Sequence, residues 1–329
     1  MTRSALIVLL ILSGAAQPLF AQSPPESSSE VFALLQKIAS APRHHNYTGT
    51  FIYSSGSHIE TSRIIHIQDQ EGEHEKIEVL DGAPREIIRK NDEMRCYLPE
   101  SKTIVTEKRW LRKSFPALLS EPLNNLNDYY SVSKGPPERI SDYDCEVIIL
   151  EPRDDMRYGH RLWVDIHTGL LLKAAVIDRG RVVEQFVFTQ LKIGGSIDKE
   201  LLRPKYSAKT GEWRTTNLVS TTIENGKLGW QVNNPPAGFK KVMEMKRTLS
   251  GKSIPVSHIA LSDGLVAVSV FIEPLEKGSP QPAQGLVPSY GAINIHTRTV
   301  ADNMVTTVGE VPPSAVIQIG NSVVNYKVK

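Results

Sequence analysis

Cysteine is nearly absent from this sequence: Cys96 and Cys145 are the only two in 329 residues. That excludes a disulfide framework and an all-cysteine zinc site, which takes four thiolates. Net charge is nearly absent too. Lys and Arg number 38 against 36 Asp and Glu, a formal +2. So balanced a chain does not hold nucleic acid through bulk charge. Beyond the N-terminus no apolar run approaches the roughly 20 residues that span a bilayer. Catalytic signatures are missing as well. There is no P-loop, G-x-G-x-x-G or G-x-S-x-G, and the nine histidines form neither HExxH nor HxH. Asp154-Asp155, with Arg153 and Arg157 beside it, lies between two strand-like runs and reads as a solvated turn. No catalytic residue, metal or cofactor is nominated, which leaves an enzyme open at this point.

What is present begins with an export signal. Arg3 precedes the apolar run Ala5–Leu12, which Gly14 and Pro18 break, and Leu19-Phe20-Ala21 offers a cleavage site. No Cys follows to accept a lipid. The expectation is a signal peptide over residues 1–21 and a soluble, Sec-exported protein, periplasmic in a Gram-negative host. In such a compartment Cys96 and Cys145 could pair as a disulfide, provided their strands are adjacent with close β-carbons.

Ser27 and Glu30 have the spacing of a capping box, and Val31, Leu34, Leu35 and Ile38 follow at helical spacing. This predicts a helix ending near Ser40 and Pro42. Short strands come next, over Tyr47–Tyr53, Ile59–Ile67, Lys76–Leu80, Arg85–Lys90, Met94–Leu98 and Lys102–Thr106. Ser114–Asn127 is apolar at helical spacing and broken by Pro116 and Pro122. Strands resume over Cys145–Glu151, His160–Asp165, Leu170–Asp178 and Val182–Lys192. The fold class is α+β, its large lobe an antiparallel sheet with a few helices. We place this lobe at 22–204, a linker at 205–228 and a smaller α+β lobe at 229–329. The latter offers strands over Lys240–Leu249, Ser257–Leu261, Leu265–Ile272, Ala292–Arg298 and Met304–Val308, and a final helix opened by Pro312-Pro313-Ser314. Gly278–Gly291 is a Pro/Gly-rich loop between two of these strands.

The neutral total hides a split. Residues 22–204 hold 24 basic and 28 acidic side chains, whereas 205–329 hold 13 and 8, a net +5. A basic module favours anionic partners, and chance variation in surface charge would look the same. Lys240, Lys241, Lys246 and Arg247 on one strand are the candidate contacts. Strand alternation gives a second set. Phe51 and Tyr53 share a face, as do Phe186 and Phe188, Arg85 and Arg89, and Trp163 with Arg161. Aromatics with Arg suit a cavity for an amphiphile with an acyl chain and an anionic head. Ordinary sheet core with snorkelling Arg explains the same pattern.

Several segments, in order along the chain, resemble the RseB/MucB family of periplasmic negative regulators of an envelope-stress sigma factor. They are Asn46–Tyr53, Asp81–Arg89, Arg157–Gly169, Gln185–Leu191, Pro235–Phe239, Ser262–Leu275 and Met304–Pro312. The resemblance implies a LolA/LolB-like half-barrel around helices with an apolar cavity, and a separate small lobe. It implies binding to the periplasmic segment of an RseA- or MucA-type anti-sigma factor and shielding of that segment from site-1 proteolysis. It further implies release by lipopolysaccharide or a related lipid, and no catalytic residue. A periplasmic lipid or lipoprotein carrier using the same cavity is the alternative. Whether copies of the chain form a homo-oligomer is open.

Overall fold

Alternation decides most of the architecture. In a computed structural model the described residues are 28–108, 126–206, 213–218, 220–223, 228–248, 254–275, 283–288 and 291–326. The expected signal peptide, most of Ser114–Asn127 and much of Gly278–Gly291 lie outside them. Helix α1 (Ser28–Ser40) is followed by β1 (Tyr47–Ser55), β2 (His58–Asp69), β3 (Gly72–Val79), β4 (Glu86–Lys90), β5 (Glu93–Leu98) and β6 (Thr103–Lys108). The short α2 (Leu126–Tyr129) then leads into β7 (Tyr130–Ile140), β8 (Tyr143–Pro152), β9 (Gly159–Asp165), β10 (Leu171–Asp178) and β11 (Arg181–Ile193). Further on come β12 (Arg214–Leu218), β13 (Ser220–Thr222), β14 (Trp230–Val232), β15 (Lys240–Arg247), β16 (Val256–Ser262), β17 (Ala267–Pro274) and β18 (Gly285–Val287). The chain continues through β19 (Asn294–Val300), β20 (Asn303–Gly309), α3 (Pro313–Asn321) and β21 (Val323–Asn325).

The large sheet has twelve strands in the order β12-β6-β5-β4-β3-β2-β1-β11-β10-β9-β8-β7. Its inner face buries Tyr47, Phe51, Ile64, Leu162, Val164 and Phe188, together with Leu35 and Ile38 of α1. The sheet is curved. In the strand order β8 stands three strands from β11, about 14 Å away in a flat sheet. Yet the Tyr143 hydroxyl, at the start of β8, donates to the Leu191 carbonyl at 3.4 Å and accepts from Ile193 N at 3.3 Å. Ser141 Oγ, in the preceding turn, donates to the Phe188 carbonyl. The β7–β8 end has curled inward onto β11. The expected α+β design with an open, curved antiparallel sheet is what the structure shows.

Two strands of the large sheet depart from the sequence reading. β7 holds Pro136 and Pro137, which cannot donate to a ladder. They are tolerated because β7 is an edge strand and its register shifts between Gly135 and Glu138. β12 lies inside the 205–228 segment and pairs in parallel with β6. The next strand, β13, pairs with β15 of the other sheet, so this segment passes from one sheet to the other. Upstream of it, residues 199–206 cover the outer face of β3 and β4. There Lys76 Nζ meets Glu86 Oε1 at 2.7 Å, both buried, and Lys205 N donates to the same carboxylate at 3.0 Å.

The small sheet has seven strands, β13-β15-β16-β17-β20-β19-β18, with α3 packed against β19 and β20. β14 and β21 form a separate pair. Val305, Val316, Ile319 and Val323 are fully buried there.

Cys96 on β5 and Cys145 on β8 stand eight strands apart in the large sheet, and both are free. The disulfide left open by the sequence does not form, because its condition of adjacent strands fails. Burial pushes the Cys145 thiol up to about 11 and raises Cys96 as well. Intact-mass analysis after alkylation in denaturant, without reductant, should therefore show two modified thiols per chain.

Candidate binding site

The two sheets meet at a junction built on one guanidinium. Arg157 follows β8 and has no exposed side-chain surface. Its Nε donates to Asp263 Oδ2 at 2.9 Å, and Asp263 is also fully buried. Its two terminal nitrogens donate to Asp154 and to the Ala237 carbonyl. The guanidinium lies 4.6 Å from the Tyr129 ring centroid and 5.0 Å from that of Phe239, a stacked arrangement that suits Arg. Gly238 makes this approach possible. Its φ is +87°, and a β-carbon there would stand 2.5 Å from the Tyr129 ring.

The Asp263 carboxylate is saturated. Besides Arg157 it accepts from the Tyr130 hydroxyl at 3.2 Å, and from Leu265 N and Val266 N at 3.0 Å each. Burial, with this carboxylate alongside, holds the Tyr130 phenol well above its ordinary pKa. The same bonds fix the turn from β16 to β17. Three further contacts join the two sheets nearby. Ala292 N donates to Glu184 Oε2 at 3.3 Å, Asn294 Nδ2 to the Tyr158 hydroxyl at 3.0 Å, and Ser314 Oγ to the Asp155 carbonyl at 2.8 Å. At another place Arg247 of β15 pairs with Glu107 of β6 at 2.5 Å.

Beside the clamp lies a cavity of about 470 Å³ with walls from both sheets. The large sheet contributes Tyr53, Ala174 and Phe186, which are cross-strand partners on β1, β10 and β11. One residue pair along, His160, Val176 and Glu184 form the next row. The small sheet contributes Leu265, Val266, Ser269 and Val308. Burial pushes the Tyr53 phenol up to about 12, with the charge of Glu184 adding to the effect. A second cleft of about 890 Å³ runs along β8 to β10 and the start of α3. It mixes Glu151, Asp155 and Asp178 with Arg161 and Arg179, and offers no uniform chemistry.

The aromatic residues singled out from the sequence come together. Phe51 and Phe188 meet edge to face at 5.9 Å between centroids, Phe186 and Phe188 at 6.3 Å, and Tyr53 and Phe186 reach the cavity. Trp163 does not join them. It faces the opposite side of the sheet, where Lys173 Nζ stands 4.1 Å from its ring centroid. The two arginines are held elsewhere. Arg85 Nη2 donates to both carboxylate oxygens of Glu60, at 3.0 and 3.1 Å. Arg89 is buried and donates to Glu73 at 2.7 Å and Glu75 at 3.2 Å. His66, Glu73 and Glu75 have metal-ligand atoms within 4.8 Å of one another. The Arg89 guanidinium already bridges the two carboxylates and occupies the position beside them. On β15, Lys240 and Lys246 are exposed, Lys241 pairs with Glu244 at 2.5 Å and Arg247 is engaged by Glu107.

Both lobes match known family models. Residues 30–206 match the MucB/RseB N-terminal domain, and 224–324 match the MucB/RseB C-terminal domain. The chain belongs to the MucB/RseB family. Among curated MucB/RseB proteins, the sigma factor AlgU regulatory protein MucB of Pseudomonas aeruginosa is 27% identical over 311 residues, 92% of each chain. The sigma-E factor regulatory protein RseB of Escherichia coli is 26% identical over 295 residues, 88% of this chain and 89% of that one. The solved complex of Pseudomonas aeruginosa MucA and MucB is 25% identical with a TM-score of 0.69, covering 90% of this chain and 99% of that one. A structure of MucB with MucA(peri) is 26% identical with a TM-score of 0.66, over 89% and 98% of the two chains.

Sequence reasoning missed Arg157, Asp263, Tyr130 and Glu184 as parts of the junction. Arg157 and Asp263 both lie in segments that carry the MucB/RseB resemblance, which was the available signal.

Proposed function

We propose that this chain is a periplasmic, non-enzymatic regulator. It binds the periplasmic segment of a MucA/RseA-type anti-sigma factor and shields that segment from site-1 proteolysis. Lipopolysaccharide or a related lipid releases it. The observation that carries this reading is an apolar cavity walled by both family domains, in a chain that matches MucB of the MucA complex along nearly its whole length. A site shared by two lobes couples their arrangement to occupancy. A lipid that binds the free form better than the complexed form then releases the partner, by no more than that difference in affinity. In this reading residues 22–204 and 229–329 are the two jaws and 205–228 connects them.

The test is a pull-down of the full mature chain with the anti-sigma periplasmic segment, followed by timed digestion with the site-1 protease. Capture, slower cleavage, and loss of both on adding lipopolysaccharide are the expected results. An unchanged cleavage rate, or capture of lipoprotein in place of the segment, would overturn the reading.

A further inference from the structure

The cavity between the sheets has a sign of charge. Its lining includes two carboxylates, Glu184 and Glu310, and no Lys or Arg among the described residues. Glu184 is 9% exposed and held from behind by Ala292 N. Gly291 permits that contact. Its φ is +65°, and a β-carbon there would collide with Ser55 Oγ. Glu310 is exposed and, with the 37%-exposed Ile293, marks the mouth. Burial raises the Tyr53 phenol most, and the charges of Glu184 and Glu310 add to it. The rest of the lining is mostly apolar, with Phe186, Leu265, Val266 and Val308 prominent, alongside Tyr53, His160, Gln185 and Ser269.

An anionic headgroup entering here would meet like charge, which complementary interfaces avoid. The arginines that could have neutralised it, Arg85 and Arg89, are paired with Glu60 and with Glu73 and Glu75. A volume of about 470 Å³ is at the small end of ligand pockets and suits one or two large side chains. We propose that this cavity takes an apolar side chain of an extended peptide whose neighbouring residue is Lys or Arg, the cation resting against Glu310 and Glu184. The proposal rests on the regulator reading for the origin of the peptide, and on the cavity itself for the chemistry.

Methyl NMR of the full mature chain tests this, using signals of Leu265, Val266 and Val308. The probes are three capped octapeptides, identical except for a central Leu-Lys, Leu-Gln or Leu-Glu, and separately lipopolysaccharide. The Lys peptide is expected to move these signals and to bind about tenfold tighter than the Glu peptide, with Gln between. Glu310 is exposed, so Glu310→Gln should keep the fold and narrow the difference, while Glu310→Lys should reverse the order. Equal or tighter binding of the Glu peptide would overturn the proposal. So would unmoved cavity methyls at millimolar Lys peptide, or lipopolysaccharide moving them at lower concentration than the peptide does. If the anti-sigma segment fails in the pull-down while the Lys peptide enters the cavity, the regulator reading falls and the cavity assignment stands. If the segment is captured but the charge order is absent, the reverse holds.

Discussion

Asp263→Ala is expected to lower the unfolding free energy by about 3–5 kcal/mol, the range for breaking one partner out of a buried ion pair. The cause is specific. Asp263 and Arg157 have no exposed side-chain surface, so the guanidinium would lose its carboxylate without gaining water. The Tyr130 hydroxyl and the amides of Leu265 and Val266 would lose their acceptor at the same time. Urea unfolding at pH 7 measures this as a fall in midpoint, with the slope reporting any loss of two-state behaviour. Asp263→Asn keeps an acceptor for the amides and should lose less. Arg157→Met combined with Asp263→Ala removes the stranded charge, so the double variant should be less destabilised than the two singles summed. Leu265 and Val266 line the cavity, so Asp263→Ala should also weaken capture of the anti-sigma segment. A loss below 1 kcal/mol would mean that the clamp is not what joins the sheets.

The clamp also marks where sequence reading stops. β11 was legible because one buried face imposes a period of two, whereas β9 and β10 are buried almost throughout and were legible as short β-prone runs bounded by turn residues. The run YSVSKGPPERI of β7 was not, since its prolines mimic a loop unless the strand is known to be an edge. The run RTTNL of β12 has no apolar face, and only its pairing with β6 makes it a strand. Alternation within a strand shows which residues share a side, never which side is inward. That is why Phe186 and Trp163 were grouped, although register puts them on opposite faces. Register equally supplied the carboxylates that hold Arg85 and Arg89. Arg157 and Asp263 are 106 residues apart, and nothing local in either segment announces the other.

Acid should unfold this protein earlier than its carboxylates alone would require, and His258 is the reason. The residue lies on β16, is 4% exposed, and stacks on Phe271 at 4.3 Å between ring centroids. Neither ring nitrogen has a hydrogen-bond partner among the described residues. Burial, with the positive charge of Arg247 adding to it, pushes its pKa from 6.5 down to about 4. The unfolded chain therefore takes up a proton at a pH where the folded chain does not. Above about pH 6.5 both states are neutral and the full stability is present. Between about 6.5 and 4 the unfolded state is progressively favoured, and below about 4 both states are charged and the loss stops growing. The shift corresponds to about 3 kcal/mol across that window. His258→Phe keeps the stacking volume and removes the proton, so its stability should stay flatter from pH 7 to pH 4. Urea midpoints for the two chains at intervals through this range measure the difference. The separation should open below pH 6.5 and become constant near pH 4. Parallel profiles would assign the acid loss to the carboxylates instead. Arg247 also forms the Glu107 bridge to the large sheet. Protonation of His258 beside it therefore adds like charge at a contact between the sheets, so acid should loosen that contact before the remaining core.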